Sequence, residues 1–365
     1  MEDLRLENFK HWLPDRGLTL FYLLAGALSL VVLTSISPDR VAQQAFMFAV
    51  GFVLFVYLSR QDAAVYKTFA PFGYILSIIL LIATLVLGST VRGSTRWIPI
   101  GTFQLQPGEF VKPLLVISFA FFLKLFPPKN LKNIIINVVL FAVPALLIFK
   151  QPDLGTALVV SSIWVAQMFV GGLSYWVIGV VLAGVVVFAE YLPRFLHDYQ
   201  IKRLETFVDP FRDPLGAGYN VIQSIIAVGS GGFFGKGLGH GTQSHLRFLP
   251  ERHTDFIFAS LAEELGMIGS ILVIFCLGGL LYRILHLATQ TRSSSSRLIY
   301  VGIFSYLFFQ TFINIGMNIG IAPVTGVTLP LISYGGSSVL ATAITLGIAS
   351  SCARSDRGHT LIEIK

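Results

Sequence analysis

Long apolar segments follow one another along this chain, and the stretches between them are mostly short and polar. An apolar run of about 20 residues has the length to cross the hydrocarbon core of a bilayer as a helix. Charged residues make up 12% of the 365 positions, whereas a typical soluble domain carries about 25%. The chain is therefore predicted to be an all-α polytopic membrane protein. Ten transmembrane helices are predicted, over residues 17–37, 43–59, 68–88, 108–126, 132–149, 155–172, 174–192, 255–283, 297–320 and 328–352.

The distribution of Lys and Arg indicates how these helices are oriented. Basic residues are concentrated in segments 1–16, 60–67, 124–132, 283–297 and 354–365, and the intervening loops carry few of them. Because cytoplasmic loops carry the excess of positive charge, both termini are predicted to lie in the cytoplasm. The net charge of +7 follows from this pattern. No basic patch with stacking aromatic residues indicates nucleic-acid binding.

No separate soluble domain is predicted, so residues 1–365 are expected to form one membrane domain. The longest segment outside the predicted helices is an extracytoplasmic loop at about 193–254, between helices seven and eight. A loop of this length is usually functional or mobile. Residues 222–228 within it are apolar enough to lie as a short amphipathic piece on the membrane surface.

The segment Phe248–Glu264, at the start of predicted helix eight, has the most unusual composition. It contains six ionisable residues, Glu251, Arg252, His253, Asp255, Glu263 and Glu264. A charge at the centre of a membrane helix costs about 2.5–3.5 kcal/mol. Charges at this place therefore indicate a wet cavity in which they act on a ligand.

Asp255 is the candidate catalytic residue of this segment. At 100° per residue it shares one helical stripe with four small residues, Ala259, Ala262, Gly266 and Gly269. Glu263 would line the same cavity deeper in the membrane, whereas Glu264 would point to the opposite side. The alternative is that Asp255 only caps the helix N-terminus, where an acidic residue is favoured. The neighbouring Arg252 and His253 favour a functional role.

A second polar cluster occupies residues 93–112, between predicted helices three and four. Its glycine and proline residues predict a tightly folded outer loop. Arg96 can bind a phosphate through two parallel hydrogen bonds, and Trp97 can anchor at the level of the headgroups. Glu109 and Lys112 stand one turn apart on helix four. The alternative is a neutralised ion pair at a helix start, beside an interfacial aromatic residue.

Three further segments carry weaker signals. Asp153 stands at the start of predicted helix six, with helix capping as the alternative role. Lys236 lies in the glycine-rich segment 229–241, which could wrap a phosphate. Ser333 lies in the segment 330–338, which is predicted to break helix ten near its outer end and to shape a cavity.

Nearly all of these residues are predicted to lie at the outer face, and the inner halves of the helices carry few ionisable groups. A pump or a proton relay would need such groups through the whole bilayer. The arrangement instead fits a site for an anionic headgroup whose lipid tail stays in the membrane. A carboxylate there can act as general base for a hydroxyl nucleophile, and cations can stabilise a phosphate leaving group. The residues thus indicate group transfer from a lipid phosphate.

Several motifs occur in an order that is typical of one family. They are GSTRWIPIG and QPGEFVK, then QPDLGT, then GGFFGKGLGHGTQSHLRFLPERHTDFIFASLAEELG, and finally NIGMNIGIAPVTGVTLPLISYGGSS. Over essentially its whole length the chain resembles the SEDS family (shape, elongation, division and sporulation proteins). GTQS before FLPERHTDF, together with NIGM and PVTG, resembles the rod-shape branch of this family more than the division branch.

This resemblance implies a peptidoglycan glycosyltransferase that polymerises lipid II into glycan strands during cell elongation. Asp255 matches the essential aspartate of the family's HTDF motif. It would deprotonate the acceptor 4-hydroxyl, which attacks the anomeric carbon of the donor and expels undecaprenyl pyrophosphate with inversion. Glu109 and Lys112 match the family's QPSExxK element, and Trp97 matches its RW pair. Gly108 replaces the usual Ser of that element, so a role of that hydroxyl is not expected here.

The resemblance also implies a partner, a class B penicillin-binding protein with transpeptidase activity, and a location in the bacterial inner membrane with the active site facing outside. A divalent cation, Mg²⁺ or Mn²⁺, on the pyrophosphate is compatible with the electrostatics, but no metal ligands are predicted. A lipid II flippase and a non-catalytic scaffold for cell-wall enzymes are the alternative functions. The predicted substrate-binding residues are Arg96, Trp97, Gln106, Glu109, Lys112, Asp153, Lys236, Arg252, His253, Glu263, Glu264 and Ser333.

Overall fold

The structure, a computed structural model, describes residues 14–91, 94–101, 103–177, 179, 183, 198–216 and 218–362. Within these ranges seven helices are long and apolar enough to cross a membrane, and the chain is an integral membrane protein. These helices span Arg16–Ile36, Pro38–Ser59, Ala63–Leu87, Leu131–Lys150, Ile257–Gln290, Ser294–Asn318 and Gly336–Asp356.

Twelve α-helices are present in the described part of the chain. They are α1 (Arg16–Ile36), α2 (Val41–Ser59), α3 (Ala63–Leu87), α4 (Pro107–Leu125), α5 (Leu131–Lys150), α6 (Leu154–Val170), α7 (Asp198–Val208), α8 (Tyr219–Ser230), α9 (Thr242–His245), α10 (Ile257–Gln290), α11 (Ser294–Asn318) and α12 (Gly336–Ile362). Each predicted transmembrane helix overlaps one of these helices, except the helix predicted at 174–192, most of which lies outside the described residues. Several begin at a capping side chain that accepts hydrogen bonds from the first turn, as Asp15, Asp62 and Asn130 do.

The helices pack around α4, α11 and α12, which carry the most extensively buried faces. α12 packs along α2 and α4, α11 packs along α6 and α10, and α10 also packs along α1. Large side chains such as Tyr300, Tyr306 and Phe119 are fully buried between them. By contrast, α3 exposes Phe69 and Phe72, as expected for the surface of a helix that faces lipid.

A small antiparallel sheet forms the outer loop between α3 and α4. Its strands β1 (Ser89–Val91), β2 (Ser94–Ile100) and β3 (Phe103–Leu105) lie in the order β1-β2-β3. The predicted all-α class therefore needs a correction, because this loop is a sheet. Four of the seven residues of β2 are β-branched or aromatic (Thr95, Trp97, Ile98 and Ile100), which favours a strand.

Two predicted boundaries differ from the structure. The long loop contains α7, α8 and α9, and residues 222–228 belong to α8. The last helix begins at Gly336 and not at 328. Residues 319–335 form a folded connection instead, in which Gly326 and Leu331 adopt positive φ angles. Such angles are incompatible with a right-handed helix, so the helix cannot extend through this segment.

The helix α10 is interrupted near its N-terminal end. Gly266 has φ 65° and ψ −158°, and a Cβ atom at this position would lie 2.2 Å from the backbone of the glycine-rich loop. N–H groups of loop residues 236 and 237 donate to the carbonyls of Glu263 (3.0 Å) and Glu264 (2.9 Å), and the N–H of Met267 donates back to the loop. The close backbone approach explains why a glycine is required there.

Candidate active site

Asp255 lies in the turn that precedes α10. The N-cap residue of α10 is Phe256, whose side chain makes no capping hydrogen bond. The backbone carbonyl of Asp255 accepts hydrogen bonds from the amides of Asn314 (3.1 Å) and Asn318 (3.0 Å) on α11. The N–H of Ala259, which would bond to that carbonyl in a continuous helix, donates to Oδ1 of Asn318 instead (2.9 Å). Helix α11 therefore fixes the backbone at Asp255.

The predicted stripe of small residues that starts at Asp255 is wrong. A period of 100° per residue needs a continuous helix, whereas Asp255 precedes α10 and Gly266 interrupts it. The N-cap position of α10 is occupied by Phe256 and not by Asp255.

The carboxylate of Asp255 and the guanidinium of Arg96 converge on Gly326. A Cβ atom at Gly326 would lie 3.6 Å from Oδ2 of Asp255 and 3.8 Å from Nη1 of Arg96. Arg96 comes from β2, Asp255 from the turn before α10, and Gly326 from the connection between α11 and α12. The absence of a side chain at Gly326 therefore lets both charged groups lie close to its backbone.

Arg96 is held by the N-terminus of α6. Its Nη1 lies 3.5 Å from Oδ1 of Asp153, and Nη2 donates to the carbonyl of Pro152. Asp153 also caps α6, because its carboxylate accepts from the N–H (3.0 Å) and the hydroxyl (2.8 Å) of Thr156. Asp153 thus caps α6, as the alternative from its sequence position predicted, and it also pairs with Arg96, which was not predicted.

Glu109 and Lys112 form an ion pair inside the protein at the start of α4. Nζ of Lys112 lies 2.7 Å from Oε1 of Glu109, with the two side chains 1% and 5% exposed. The Lys112 ammonium also lies 4.9 Å from the centre of the Tyr306 ring, a favourable cation–π arrangement. Gly108 faces Asp153, since a Cβ atom there would lie 4.0 Å from its carboxylate. The pair is therefore adjacent to the Arg96–Asp153 contact.

Three other predicted residues have mainly backbone contacts. Trp97 is half-buried in β2, and its carbonyl accepts from the Ser89 hydroxyl (3.1 Å). The N–H of Gln106 donates to the hydroxyl of Ser337 (3.1 Å), which joins α4 to α12. The Ser333 hydroxyl donates to the carbonyl of Thr254 (2.7 Å). Ser333 thus fastens the α11–α12 connection to the turn that carries Asp255.

Glu263 and Glu264 bind the glycine-rich loop. The carboxylate of Glu263 accepts from Nζ of Lys236 (2.9 Å), from the N–H of Gln243 (2.9 Å) and from the N–H and hydroxyl of Ser244. The carboxylate of Glu264 is 2.8 Å from Nε2 of His245. Both carboxylates are almost fully buried. These contacts hold the loop against α10, and Lys236 takes part in them.

Arg252 and His253 face a different set of residues from Asp255. Nη1 of Arg40 donates to Nε2 of His253 (2.5 Å), since a guanidinium can only donate. The same guanidinium lies 5.0 Å from the centre of the Tyr334 ring. Burial, together with the nearby Arg40, lowers the pKa of His253 to about 4. Nε of Arg252 donates to the carbonyl of Ile36 (3.1 Å).

The described residues contain no group of three or more His, Cys, Asp or Glu side chains that could hold a metal ion.

The sequence places the chain among known membrane proteins. Residues 14–358 match the family model for cell cycle proteins of the FtsW/RodA/SpoVE type. The chain belongs to this family. It is 45% identical over 305 residues to the peptidoglycan glycosyltransferase MrdB of Escherichia coli K12, an alignment that covers 83% of this chain and 82% of the relative.

Two solved structures are similar to that of this chain. One comes from work on the structural coordination of polymerization and crosslinking by a peptidoglycan synthase complex; it has a TM-score of 0.82 and 34% identity, and the match covers 94% of this chain and 98% of that chain. The other is the rod shape determining protein RodA of Thermus thermophilus, with a TM-score of 0.72 and 30% identity over 94% of this chain and 97% of that chain.

Several residues that contact the 251–256 turn or lie close to Asp255 were not predicted. Arg40 was interpreted only as a basic residue of a short loop, and Gly326, Asn314, Asn318 and Tyr334 were not singled out. The asparagines carried a usable signal, because two amides at i and i+4 on an apolar helix are expensive to bury without partners. Arg40 had a weaker one, as a lone cation beside a membrane helix.

Proposed function

We propose that this chain is a peptidoglycan glycosyltransferase that polymerises lipid II during cell elongation, with Asp255 as the general base. The observation that carries the proposal is the convergence of the Asp255 carboxylate and the Arg96 guanidinium on Gly326, in a chain whose relative MrdB is a peptidoglycan glycosyltransferase. A carboxylate can accept the proton of a substrate hydroxyl, and the bonds from α11 to the backbone carbonyl of Asp255 fix the turn that carries this carboxylate.

The proposed reaction joins two lipid-linked precursors. The Asp255 carboxylate takes the proton of the 4-hydroxyl of the acceptor N-acetylglucosamine. The oxygen then bonds to the anomeric carbon of the donor, and the bond from that carbon to the undecaprenyl pyrophosphate oxygen breaks with inversion. A positioned base of this kind accelerates a reaction by about 10²–10⁴-fold. Arg96, fixed by Asp153, would orient the substrate beside the carboxylate, and Trp97, Glu109 and Lys112 would support this wall of the site.

The proposed topology has ten transmembrane helices, with both termini in the cytoplasm and the site at the outer face of the bacterial inner membrane. Positive charge at one end of the helices supports it. The proposed partner is a class B penicillin-binding protein that crosslinks the new glycan. Similarity to a chain from a complex that coordinates polymerization and crosslinking supports this choice.

The decisive test is lipid II polymerisation in detergent by the purified chain with its penicillin-binding partner. Asp255→Asn should lower the rate of glycan-strand formation by at least about 100-fold, because the amide cannot take the proton. Glu205→Gln is the matched control, since it also removes one carboxylate, but from an exposed ion pair with Arg212.

The outcomes separate the candidate functions. Glycan strands from the wild type and the control, and none from a folded Asp255→Asn variant that still binds the partner, would support the proposal. Equal strands from all three proteins would exclude Asp255 as the base. No strands from any of them would favour the flippase or scaffold functions.

A further inference from the structure

We propose that Arg40 and Arg252, with Tyr334 as a flat support, form a second anion-binding subsite that receives an anionic group of a lipid-linked substrate. This inference rests on the proposed function and deepens it. The subsite, called here the Arg40 cluster, comprises Arg40, Arg252, His253 and Tyr334. Its residues contact one another and Ile36, whereas Arg96 contacts Asp153 and Pro152.

The side chains of the Arg40 cluster are held in place by contacts with one another and with the backbone. Arg40 is fixed by its hydrogen bond to His253 (2.5 Å) and by its position over the Tyr334 ring. The Tyr334 ring contacts the His253 ring edge to face, with the ring centres 5.6 Å apart. The backbone N–H of Tyr334 donates to the backbone carbonyl of His253 (2.8 Å). Arg252 is anchored through Nε to Ile36. Its two terminal nitrogens have no hydrogen bond to the part of the chain that the structure describes.

The balance of charge favours an anion at this cluster. The guanidinium groups that act on Arg252 and His253 belong to Arg40, Arg247 and Arg252, and the opposing carboxylates are Asp39 and Glu251. Arg40 is only weakly neutralised, because its Nε is 3.8 Å from an Asp39 carboxylate that is 80% exposed. One positive charge therefore remains in excess.

The Asp255 side of the turn has the opposite balance. Arg96 is paired with Asp153, and Lys112 is paired with Glu109. With Asp255 added, this side holds three carboxylates against two cations. A phosphate or carboxylate group that approaches the turn is therefore attracted more strongly to the Arg40 cluster than to Arg96. The residues around Asp255 are then left for the neutral sugar hydroxyl that the base must contact.

The two sides are close enough to serve one substrate. His253 and Asp255 are two residues apart, so their Cα atoms are at most about 7.6 Å apart. In the proposed reaction both precursors carry a diphosphate and a stem peptide with carboxylates. Guanidinium groups bind the oxygens of either group in the same manner. The ligand chemistry is thus an anionic oxygen cluster, from the diphosphate or from the peptide.

The test measures binding to the purified full chain with its partner, with two probes. Undecaprenyl pyrophosphate carries the diphosphate alone, and lipid II carries the diphosphate and the peptide. Arg40→Gln should weaken binding of at least one probe by about tenfold to a hundredfold, the effect expected for a lost charge-assisted hydrogen bond. Arg252→Gln should act in the same direction, and Arg40→Lys should weaken binding less than Arg40→Gln. Arg212→Gln, which removes an arginine that is 73% exposed, is the matched control.

The probes identify the source of the anion. Weaker binding of both probes would assign the subsite to the diphosphate. If the variants bind only lipid II more weakly than the wild type does, and this difference disappears when the stem carboxylates of lipid II are amidated, the subsite binds the peptide. Unchanged affinities in folded Arg40→Gln and Arg252→Gln proteins would overturn the subsite. A wild type that binds both probes but forms no glycan would refute the proposed function and leave the subsite standing.

Discussion

Both charged groups of the candidate site lie close to Gly326, and replacement of Gly326 by alanine should lower the activity. The Gly326→Ala methyl group would lie 3.6 Å from Asp255 and 3.8 Å from Arg96, beside the carboxylate at which the acceptor hydroxyl is proposed to bind. Its φ of 75° adds roughly 1–2 kcal/mol of backbone strain. We expect the rate of lipid II polymerisation to fall at least tenfold.

Gly101→Ala provides the matched control for that experiment. Gly101 has a similar φ of 61°, but a Cβ atom there would have no described neighbour within 4 Å. The control should therefore show the backbone strain without the obstruction. Equal losses of activity in the two variants would mean that strain, and not the occupied space, causes the defect.

His253 should make the stability of the protein depend on pH. Burial and then Arg40 lower the pKa of His253 to about 4 in the folded state, against about 6.5 in an unfolded chain. The unfolded state therefore binds more protons between these values, and the stabilising contribution, complete above about pH 6.5, is lost as the pH falls toward 4. Glu251, Arg252, Asp39 and Arg40 are the charged groups that act on it.

Thermal unfolding in detergent from pH 7.5 to pH 4.5 checks this prediction. The melting temperature of the wild type should fall more steeply than that of His253→Gln, which cannot take up the proton. Parallel curves for the two proteins would contradict the lowered pKa.

The glycine-rich loop and the first turns of α10 form one structural element through Glu263. Glu263→Gln removes the charge that Lys236, Gln243 and Ser244 contact. The buried donors would lose their strongest acceptor, at a cost of about 1–3 kcal/mol. Hydrogen exchange in residues 236–246 should accelerate, with little change in α11. Glu205→Gln, at an exposed pair, should leave that exchange unchanged, and an unaffected loop in Glu263→Gln would disprove the link.

Local patterns predicted local features and missed the contacts between distant segments. The Glu109–Lys112 pair followed from an i,i+3 spacing, and Asp153 as a cap followed from its position before a helix. The contact of Arg40 with His253 joins residues 213 positions apart, and that of Asn314 with Asp255 joins residues 59 apart. No periodicity encodes such contacts. The break at Gly266 was missed because the apolar run continues through it.

On the scale of the whole molecule, Asp15 and Arg283 join three helices far from the candidate site. The guanidinium of Arg283 on α10 binds both carboxylate oxygens of Asp15 (2.9 and 2.6 Å), and the N–H of Asp15 donates to Ser350 on α12 (2.8 Å). The Asp15 side chain is 2% exposed. Arg283→Met would leave a buried carboxylate without its cation, which costs about 3–5 kcal/mol.

The melting temperature of Arg283→Met should therefore drop, while the molecules that stay folded keep the wild-type affinity for lipid II. Lys124→Met, at an exposed lysine of α4, should change neither quantity. A wild-type melting temperature in Arg283→Met would show that the pair contributes nothing to stability.

The order of the membrane helices could be predicted because each apolar run is long enough to define one, from α1 at residues 16–36 to α11 at 294–318. The form of the outer segments could not. The connection of residues 319–335 is apolar enough to resemble a helix, yet Gly326 and Leu331 have positive φ and its polar groups bond to the 251–256 turn. Such a segment is specified by its neighbours, and its composition does not distinguish it from a helix.

The interruption at Gly266 makes the two parts of α10 independent in register. In an unbroken helix, one inserted residue rotates everything beyond it by about 100°. Here the part before Gly266 is bonded to the glycine-rich loop and to α11, and Met267 and Ile268 just after it are bonded to the same loop. The orientation of the first part is therefore set by these neighbours and not by the lower helix. Insertions or deletions below Gly266 can adapt the lower helix to bilayers of different thickness without turning the carboxylate of Asp255 away from its place.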